Sequence, residues 1–340
     1  MAGMRCYYRP IAQTDPLRPQ AARWLAGGWC WFDRVEVLTR AGSAGVIAAA
    51  DLPPDVAARL SAPRPAIVGL SWQVPKLMGI VNTTPDSFSD GGRFGSPAEA
   101  VAAAQALAAE GADLLDIGGE STRPGAAPVP EAEEIARTIP VIAALCGAGG
   151  VGVPVSVDTR KAAVARAALA AGAVLVNDVS AMGFDPGMAA AVAASTAGLC
   201  LMHAQGSPET MQAAPRYDNV VLDVYDYLEA RIAAAEAAGI ARARILVDPG
   251  IGFGKSQEHN LALLRNLSLL HGLGCPILLG ASRKRFIGSI GGAALAQARG
   301  PGTLAVTLAA VAQGVQVHRV HDVAEVAQGL RLWRALGGEG

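Results

Sequence analysis

Carboxylates, amides and cations recur in this sequence just after short apolar runs, and they sort by type into three kinds of chemistry. Asp116, Asp158, Asn177, Asp248 and Lys284 form one set. Carboxylates and an amide accept N–H donors, and an ammonium donates to a carbonyl or ring nitrogen. Such a set suits a narrow polar slot for a flat heterocycle rich in N–H groups. Asn82, Thr122, Arg123, Arg319 and His321 form a second set, with fork-shaped and single donors suited to an anion such as a phosphate. Phe88, Pro124 and Phe253 form a third, an apolar shelf. Glycines around Phe88 and Phe253 suggest loops that close over a ligand. The chain has four lysines, and three of them, Lys161, Lys255 and Lys284, fall in the same kind of place, which reads as a hint of site chemistry.

The elements that must position these groups follow from the rhythm of the chain. From Lys76 onward, short β-rich runs alternate with Ala-rich helical stretches. The strands are expected at 77–81, 114–117, 153–157, 174–176, 198–202, 244–247, 276–279 and 316–320, each followed by a plausible helix. Eight strand–helix units predict an α/β fold, a (β/α)8 TIM barrel. A doubly wound open sheet is the competitor, but no G-x-G-x-x-G follows the first strand. In a barrel the active site lies at the C-terminal strand ends, and every expected strand ends in a polar or charged group. A purely structural barrel has no reason for that, because a buried polar group is costly unless paired. Helix punctuation agrees: Ser96-Pro97-Ala98-Glu99 reads as cap, N1 proline and N3 acid, and Gly111 and Gly239 read as helix ends.

Residues 1–75 differ. They hold four of the five tryptophans, with Pro63, Pro65 and Pro75 marking a connection. A strand is expected over 29–39 and a short helix over 55–60. The division is then a small N-terminal extension of unknown role, 1–75, and a barrel catalytic domain, 76–340.

Composition narrows the function classes. Half of the 340 residues are hydrophobic but only 5% are aromatic, which suits helices on a parallel sheet. The net charge of −1 offers no basic field for nucleic acid and no polybasic patch for a membrane surface. No apolar run is long enough to span a bilayer, and residues 1–10 lack the apolar core of a signal peptide. Five widely spaced cysteines without a C-x-x-C pair read as buried thiols. A cytoplasmic enzyme acting on small molecules is the expectation.

Plainer roles are assigned elsewhere. Asp178 reads as a local cap, Glu120 as a loop support, and His259, His271 and His318 as structural or exposed. His203 is open between a structural histidine and a pocket residue.

Taken together the motifs resemble dihydropteroate synthase. The stretches are Met78-Gly79-Ile80-Val81-Asn82-Thr83-Thr84-Pro85-Asp86-Ser87-Phe88-Ser89-Asp90-Gly91-Gly92, Asp116-Ile117-Gly118-Gly119-Glu120-Ser121-Thr122-Arg123-Pro124-Gly125 and Ser156-Val157-Asp158-Thr159. They continue through Asn177-Asp178-Val179, Asp248-Pro249-Gly250, Gly280-Ala281-Ser282-Arg283-Lys284 and Arg319-Val320-His321-Asp322-Val323, in order across about residues 76–335. The resemblance implies condensation of 6-hydroxymethyl-7,8-dihydropterin diphosphate with 4-aminobenzoate, releasing diphosphate, in folate biosynthesis. It implies that Asp158, Asn177, Asp248 and Lys284 hold the pterin, with Arg319 on its face. Asn82, Arg319 and His321 would meet the diphosphate, and Asn82 would ligate Mg2+. Thr122, Arg123, Pro124, Phe253 and Phe88 would shape the aminobenzoate site, where sulfonamides would compete. It also implies a homodimer through the last helices. On chemical grounds we expect diphosphate to leave first. The catalytic set is then Asn82, Asp116, Asp158, Lys284, Arg319 and His321, with Asp116 and Asp158 offsetting positive charge on the pterin.

The sequence departs from the family in places. The family's short forms begin just before the Asn82 strand, so residues 1–75 are an addition. Arg285 stands where a small hydroxylic residue is frequent; it could meet the aminobenzoate carboxylate, which bears on sulfonamide sensitivity. Thr83 replaces a familiar Val, with no expected consequence. The nearest rival function is a pterin-binding methyltransferase domain, and a second is a catalytically silent pterin-binding paralogue.

Overall fold

The computed structural model describes residues 5–83, 96–121, 126–206, 211 and 214–337. Within the extension, β1 (Tyr7–Pro10), β4 (Arg34–Thr39) and β5 (Gly42–Ala48) form an antiparallel sheet in the order β1-β4-β5. A small hairpin pairs β2 (Arg23–Trp24) with β3 (Trp31–Phe32), and α1 (Pro54–Ser61) follows. The single strand expected over 29–39 is thus two, broken at Asp33, whose carbonyl accepts from Ala49 N at 2.7 Å instead of continuing a ladder.

The barrel strands are β6 (Lys76–Asn82), β7 (Leu114–Gly118), β8 (Val155–Asp158), β9 (Leu175–Asp178), β10 (Gly198–Met202), β11 (Ile245–Asp248), β12 (Leu278–Leu279) and β13 (Val317–Val320). All pair in parallel, in the order β11-β10-β9-β8-β7-β6-β13-β12, and a parallel bridge from Val247 to Ile277 closes the circle. The helices are α2 (Pro97–Ala109), α3 (Glu131–Cys146), α4 (Ala162–Ala170), α5 (Met188–Ala193), α6 (Val220–Ala237), α7 (Gln257–Arg265), α8 (Arg285–Gly291), α9 (Gly300–Val311) and α10 (Val323–Leu336). The expected punctuation is present. Ser96 Oγ accepts from Glu99 N ahead of Pro97, and Gly111 and Gly239 take positive φ just past α2 and α6.

Why the mouth faces one way follows from the barrel floor. Met78, Leu114, Leu175, Cys200, Leu246, Leu278 and Val317, from seven different strands, pack with Ile67 and Trp72 of the extension in one buried cluster. Gly198 accommodates this plug: a Cβ there would meet Ile67 Cγ2 at 2.8 Å and Leu175 Cδ1 at 2.7 Å. Trp72 Nε1 donates to Pro65 O at 2.7 Å, so its polar edge is satisfied. The rest of the extension shares the barrel's main core through Leu25, Phe32, Val35 and Leu60, and Trp29 Nε1 donates to Val311 O at 2.9 Å. With the N-terminal end of the barrel filled, a ligand site of the barrel falls at the C-terminal strand ends. Among the described residues, no helix is long and apolar enough to cross a membrane.

Candidate active site

Four strands deliver the polar slot. Asp116 on β7, Asp158 at the end of β8, Asn177 on β9 and Asp248 at the end of β11 come into the same end of the barrel. Arg319 on β13 joins two of them: its Nε donates to Asp116 Oδ2 at 2.6 Å and an Nη to Asp158 Oδ2 at 2.8 Å. Asn177 Nδ2 also donates to Asp116 Oδ2, at 2.9 Å. Asp116 is fully buried, and its Oδ1 has no hydrogen-bond partner among the described residues. An orphaned carboxylate oxygen at this depth is costly unless something else approaches it.

Burial sets the electrostatics. It pushes the Asp158 carboxyl up to about 7, with Arg319 pulling the other way and Asp116 adding to the rise. Burial likewise raises Asp248 to about 6, against a hydrogen bond from Gly250 N and the charges of Lys284, Lys255 and Arg319. Arg319 is held above its ordinary value, because attraction to Asp116 and Asp158 outweighs its desolvation. The slot therefore holds negative charge under strain, with one guanidinium lying across it.

Phe253 and Lys284 meet directly, with the ammonium 4.3 Å from the ring centroid, a cation–π distance. The apolar shelf and the polar slot thus share an edge. The Phe253 turn is fixed from several sides. Phe253 N donates to Gly250 O at 3.1 Å, Gly252 N to Asn260 Oδ1 at 2.7 Å, and Tyr217 OH to Gly254 O at 2.7 Å. Gly250 must be glycine, since it has φ +67° and a Cβ there would lie 1.8 Å from His203 O.

On the opposite side, Asn82 ends β6 beside Gly118 of β7. A Cβ on Gly118 would meet Asp158 Cβ at 3.5 Å and Asn82 Oδ1 and Asp158 Oδ2 at 3.7 Å, and without it a small gap faced by the two oxygens stands between them. His321 follows β13, and its Nδ1 is 2.9 Å from Ser282 Oγ, which also accepts from His321 N at 3.2 Å. Ser282 therefore orients the imidazole, a role the sequence did not disclose although the serine stands three residues past the neighbouring strand. Arg283 (φ +56°) pairs its Nε with Asp322 at 2.9 Å and ties the same two strand ends together. Arg285 is the exposed first residue of α8. Phe88, Thr122, Arg123 and Pro124, and all of the loop 82–92 beyond Thr83, lie outside the described residues.

The hint drawn from the lysines holds only for Lys284. Lys161 is buried, and its Nζ reaches Glu120 Oε1 at 3.1 Å, Glu134 Oε2 at 2.5 Å and Val129 O at 2.6 Å. Lys255 is buried beneath the Phe253 turn, donating to Gly250 O at 2.8 Å and Phe253 O at 3.0 Å, with His203 Nδ1 also at 2.8 Å. Burial lowers this ammonium to about 7 and, with Lys255 beside it, lowers His203 to about 3. Both lysines brace loops, and His203 is a packed partner of one of them. Glu120 also accepts from Arg160 Nε at 3.0 Å and Val129 N at 2.9 Å; these bonds and Lys161 outweigh burial and keep its carboxyl low. Asp178 accepts from Ser180 N, Ser180 Oγ and Met182 N within its own turn.

Known proteins agree with this geometry. The family described as pterin binding enzyme matches residues 78–321. The dihydropteroate synthase of Neisseria meningitidis serogroup C is 50% identical over 266 residues, covering 77% of this chain and 93% of that protein. That of Escherichia coli K12 is 45% identical over 261 residues, covering 77% and 91%. Among solved structures, Xanthomonas albilineans dihydropteroate synthase with 4-aminobenzoic acid superposes with a TM-score of 0.74 at 50% identity, covering 81% of this chain and 98% of that one. The same enzyme in complex with 7,8-dihydropteroate gives 0.70 at 45% identity, with the same coverage. The Yersinia pestis enzyme with a sulfonamide drug complex gives 0.76 at 43%, covering 80% and 98%. A buried slot of carboxylates crossed by one arginine, on a barrel with these relatives, leads to one conclusion: the chain belongs to the dihydropteroate synthase family.

Proposed function

We propose that this mouth condenses 6-hydroxymethyl-7,8-dihydropterin diphosphate with 4-aminobenzoate, giving 7,8-dihydropteroate and diphosphate in folate biosynthesis. The observation that carries the residue roles is the Arg319 bridge across Asp116 and Asp158 beside Asn177. A pterin presents amine and ring N–H donors that carboxylates and an amide oxygen accept. Asp158, Asn177 and Asp248 would take those donors, Lys284 would donate to the pterin carbonyl or a ring nitrogen, and Arg319 would lie on its face.

The reaction breaks the C–O bond to diphosphate and forms a C–N bond to the arylamine, which then loses one proton. Diphosphate leaves first in this reading, because the carbon is attached to an electron-rich ring that stabilises a cation. Asp116 and Asp158 offset that positive charge, and Arg319 and His321, with Thr122 and Arg123, meet the leaving anion. The arylamine is a neutral nucleophile near pH 7 and needs no strong base. Phe253, with Phe88 and Pro124, would hold its ring. Arg285 would reach its carboxylate, and sulfonamides would compete in this place.

Among the described residues, no cluster of three His, Cys, Asp or Glu could make a resident metal site. The oxygen-lined gap at Gly118 suits a hard cation that keeps most of its waters and arrives with phosphate, as Mg2+ does. Asn82 would hold it, and the ion would supply charge neutralisation for the diphosphate. Homodimer formation is supported by Leu332 and Leu336, exposed on α10.

Release of diphosphate that depends on 4-aminobenzoate tests the reading. A methyltransferase domain or a silent paralogue would release none, and that result would overturn it.

A further inference from the structure

The β4–β5 turn of the extension reaches the first turns of α6. Thr39 Oγ1 donates to Gly42 O at 3.0 Å and accepts from Ala41 N at 3.2 Å, and Gly42 takes φ +119°, so the turn is locally fixed and aims Arg40 outward. The Arg40 guanidinium bonds to Asp223 Oδ1 and Asp226 Oδ2. Asp226 is shared with Tyr7 OH at 2.9 Å and with Arg5 at 3.1 Å. The second oxygen of Asp223 accepts from Asp218 N at 3.0 Å and Asn219 N at 3.1 Å. Those two amides immediately follow Tyr217, whose hydroxyl holds Gly254 O and whose ring packs edge-on against His259 with centroids 4.9 Å apart. Gly254 has no room for a side chain, since a Cβ would sit 2.3 Å from Gln205 O. The Phe253 turn therefore responds to where Tyr217 stands.

We propose that Arg40 is a positioning residue for the arylamine half of the reaction, acting through Asp223 on the Tyr217–Gly254 contact that places Phe253. Arg40 lies outside the stretch 78–321 that matches the family, so the extension adds a control on the site that the shared barrel does not contain. The pterin slot hangs on β7, β8, β9, β11 and β13 and meets this chain of contacts at one edge, where the Lys284 ammonium lies against Phe253. The proposal rests on the reading that Phe253 borders the arylamine. Arg40 is well exposed, and exposed pairs contribute little each, so the effect is modest and selective.

The test is steady-state kinetics on the full chain for Arg40→Ala, Arg40→Lys, Tyr217→Phe, the double variant Arg40→Ala/Tyr217→Phe, and Phe253→Ala. Arg40→Ala should raise KM for 4-aminobenzoate roughly two- to fivefold, with kcat unchanged and the KM for pterin diphosphate moved less. Arg40→Lys should recover most of that loss, and the double variant should match Tyr217→Phe alone. An unchanged arylamine KM in Arg40→Ala, an equal rise in both KM values, or additive losses in the double variant would overturn the coupling while leaving the arylamine site in place. A wild-type arylamine KM in Phe253→Ala would instead remove the reading on which the coupling rests, and the proposal with it.

Discussion

Replacing Asp248 by Asn should stabilise the ligand-free protein while impairing pterin binding, and the gain should depend on pH in a defined direction. Asp248 is only 5% exposed, and burial lifts its carboxyl from an ordinary 3.8 to about 6. A group held above its ordinary value binds its proton more tightly in the folded chain than in the unfolded one. Its contribution is therefore favourable below about pH 4 and is lost as pH rises through about 6. A rise from 3.8 to about 6 corresponds to about 3 kcal/mol of folding free energy forgone above that window. Asparagine keeps the shape and the acceptor for Gly250 N, which donates to Asp248 Oδ1 at 2.7 Å, but carries no charge to desolvate. That figure is already net of the attraction of Lys284, Lys255 and Arg319, which the asparagine amide gives up. Urea unfolding of both proteins between pH 4 and pH 8 should give equal stabilities at the acid end. Asp248→Asn should be ahead by about 1–3 kcal/mol at pH 8, with most of the change between pH 4 and 6. Under the proposed roles the same variant loses an anionic acceptor, so KM for pterin diphosphate rises. A variant less stable than wild type at pH 8, or a gain that ignores pH, would refute the claim that Asp248 carries its charge against burial.

Lys161→Met leaves Glu120 and Glu134 buried without their shared cation and should cost roughly 3–5 kcal/mol, read as a fall in the urea midpoint; a loss under 1 kcal/mol would remove Lys161 from its bracing role. Arg319→Ala removes the cation that joins Asp116 to Asp158, and turnover should drop about a hundredfold or more while far-ultraviolet circular dichroism stays native; wild-type turnover would sink the assigned role. The free-enzyme kcat/KM for pterin diphosphate should fall as pH drops below about 7, because Asp158 (about 7) and then Asp248 (about 6) become protonated and stop acting as anionic acceptors. A flat profile from pH 8 to 5 would contradict this. Chelation with EDTA should abolish turnover and excess Mg2+ restore it; full activity in EDTA would dismiss the cation.

The barrel was legible because its signals are local. Alternation of apolar runs with capped helices, and polar residues at run ends, need no knowledge of what packs where. Strand ends were read short for a physical reason. Observed β8, β9 and β11 run on into Asp158, Asp178 and Asp248, residues of low β-propensity at which a sequence reading stops. The parallel ladder overrides that preference, pairing Asp158 with Asn177 and Met202 with Asp248. The same extension of the ladder makes these carboxylates rigid, which a loop would not do.

The lysines show where local reading fails. Lys161, Lys255 and Lys284 each follow a strand, yet only Lys284 borders the slot. Lys161 turns to Glu134 on α3 and Lys255 to His203 on the next strand end over. Partners of this kind are far apart in sequence, and whether an ammonium points at a ligand or into the wall is decided by them. The logic extends to the slot itself. Residue types alone put Asp116 and Asp158 in one set and Arg319 in another, and the resemblance laid Arg319 on the pterin; neither said that Arg319 spans both carboxylates. Under the proposed roles a pterin would bring N–H donors to carboxylate oxygens that Arg319 does not hold, Asp116 Oδ1 among them. Specificity then comes from donor geometry more than from added attraction. A flat ring without donors would leave buried carboxylates unsatisfied, at a cost of several kcal/mol, and a single cation would satisfy them without filling the slot.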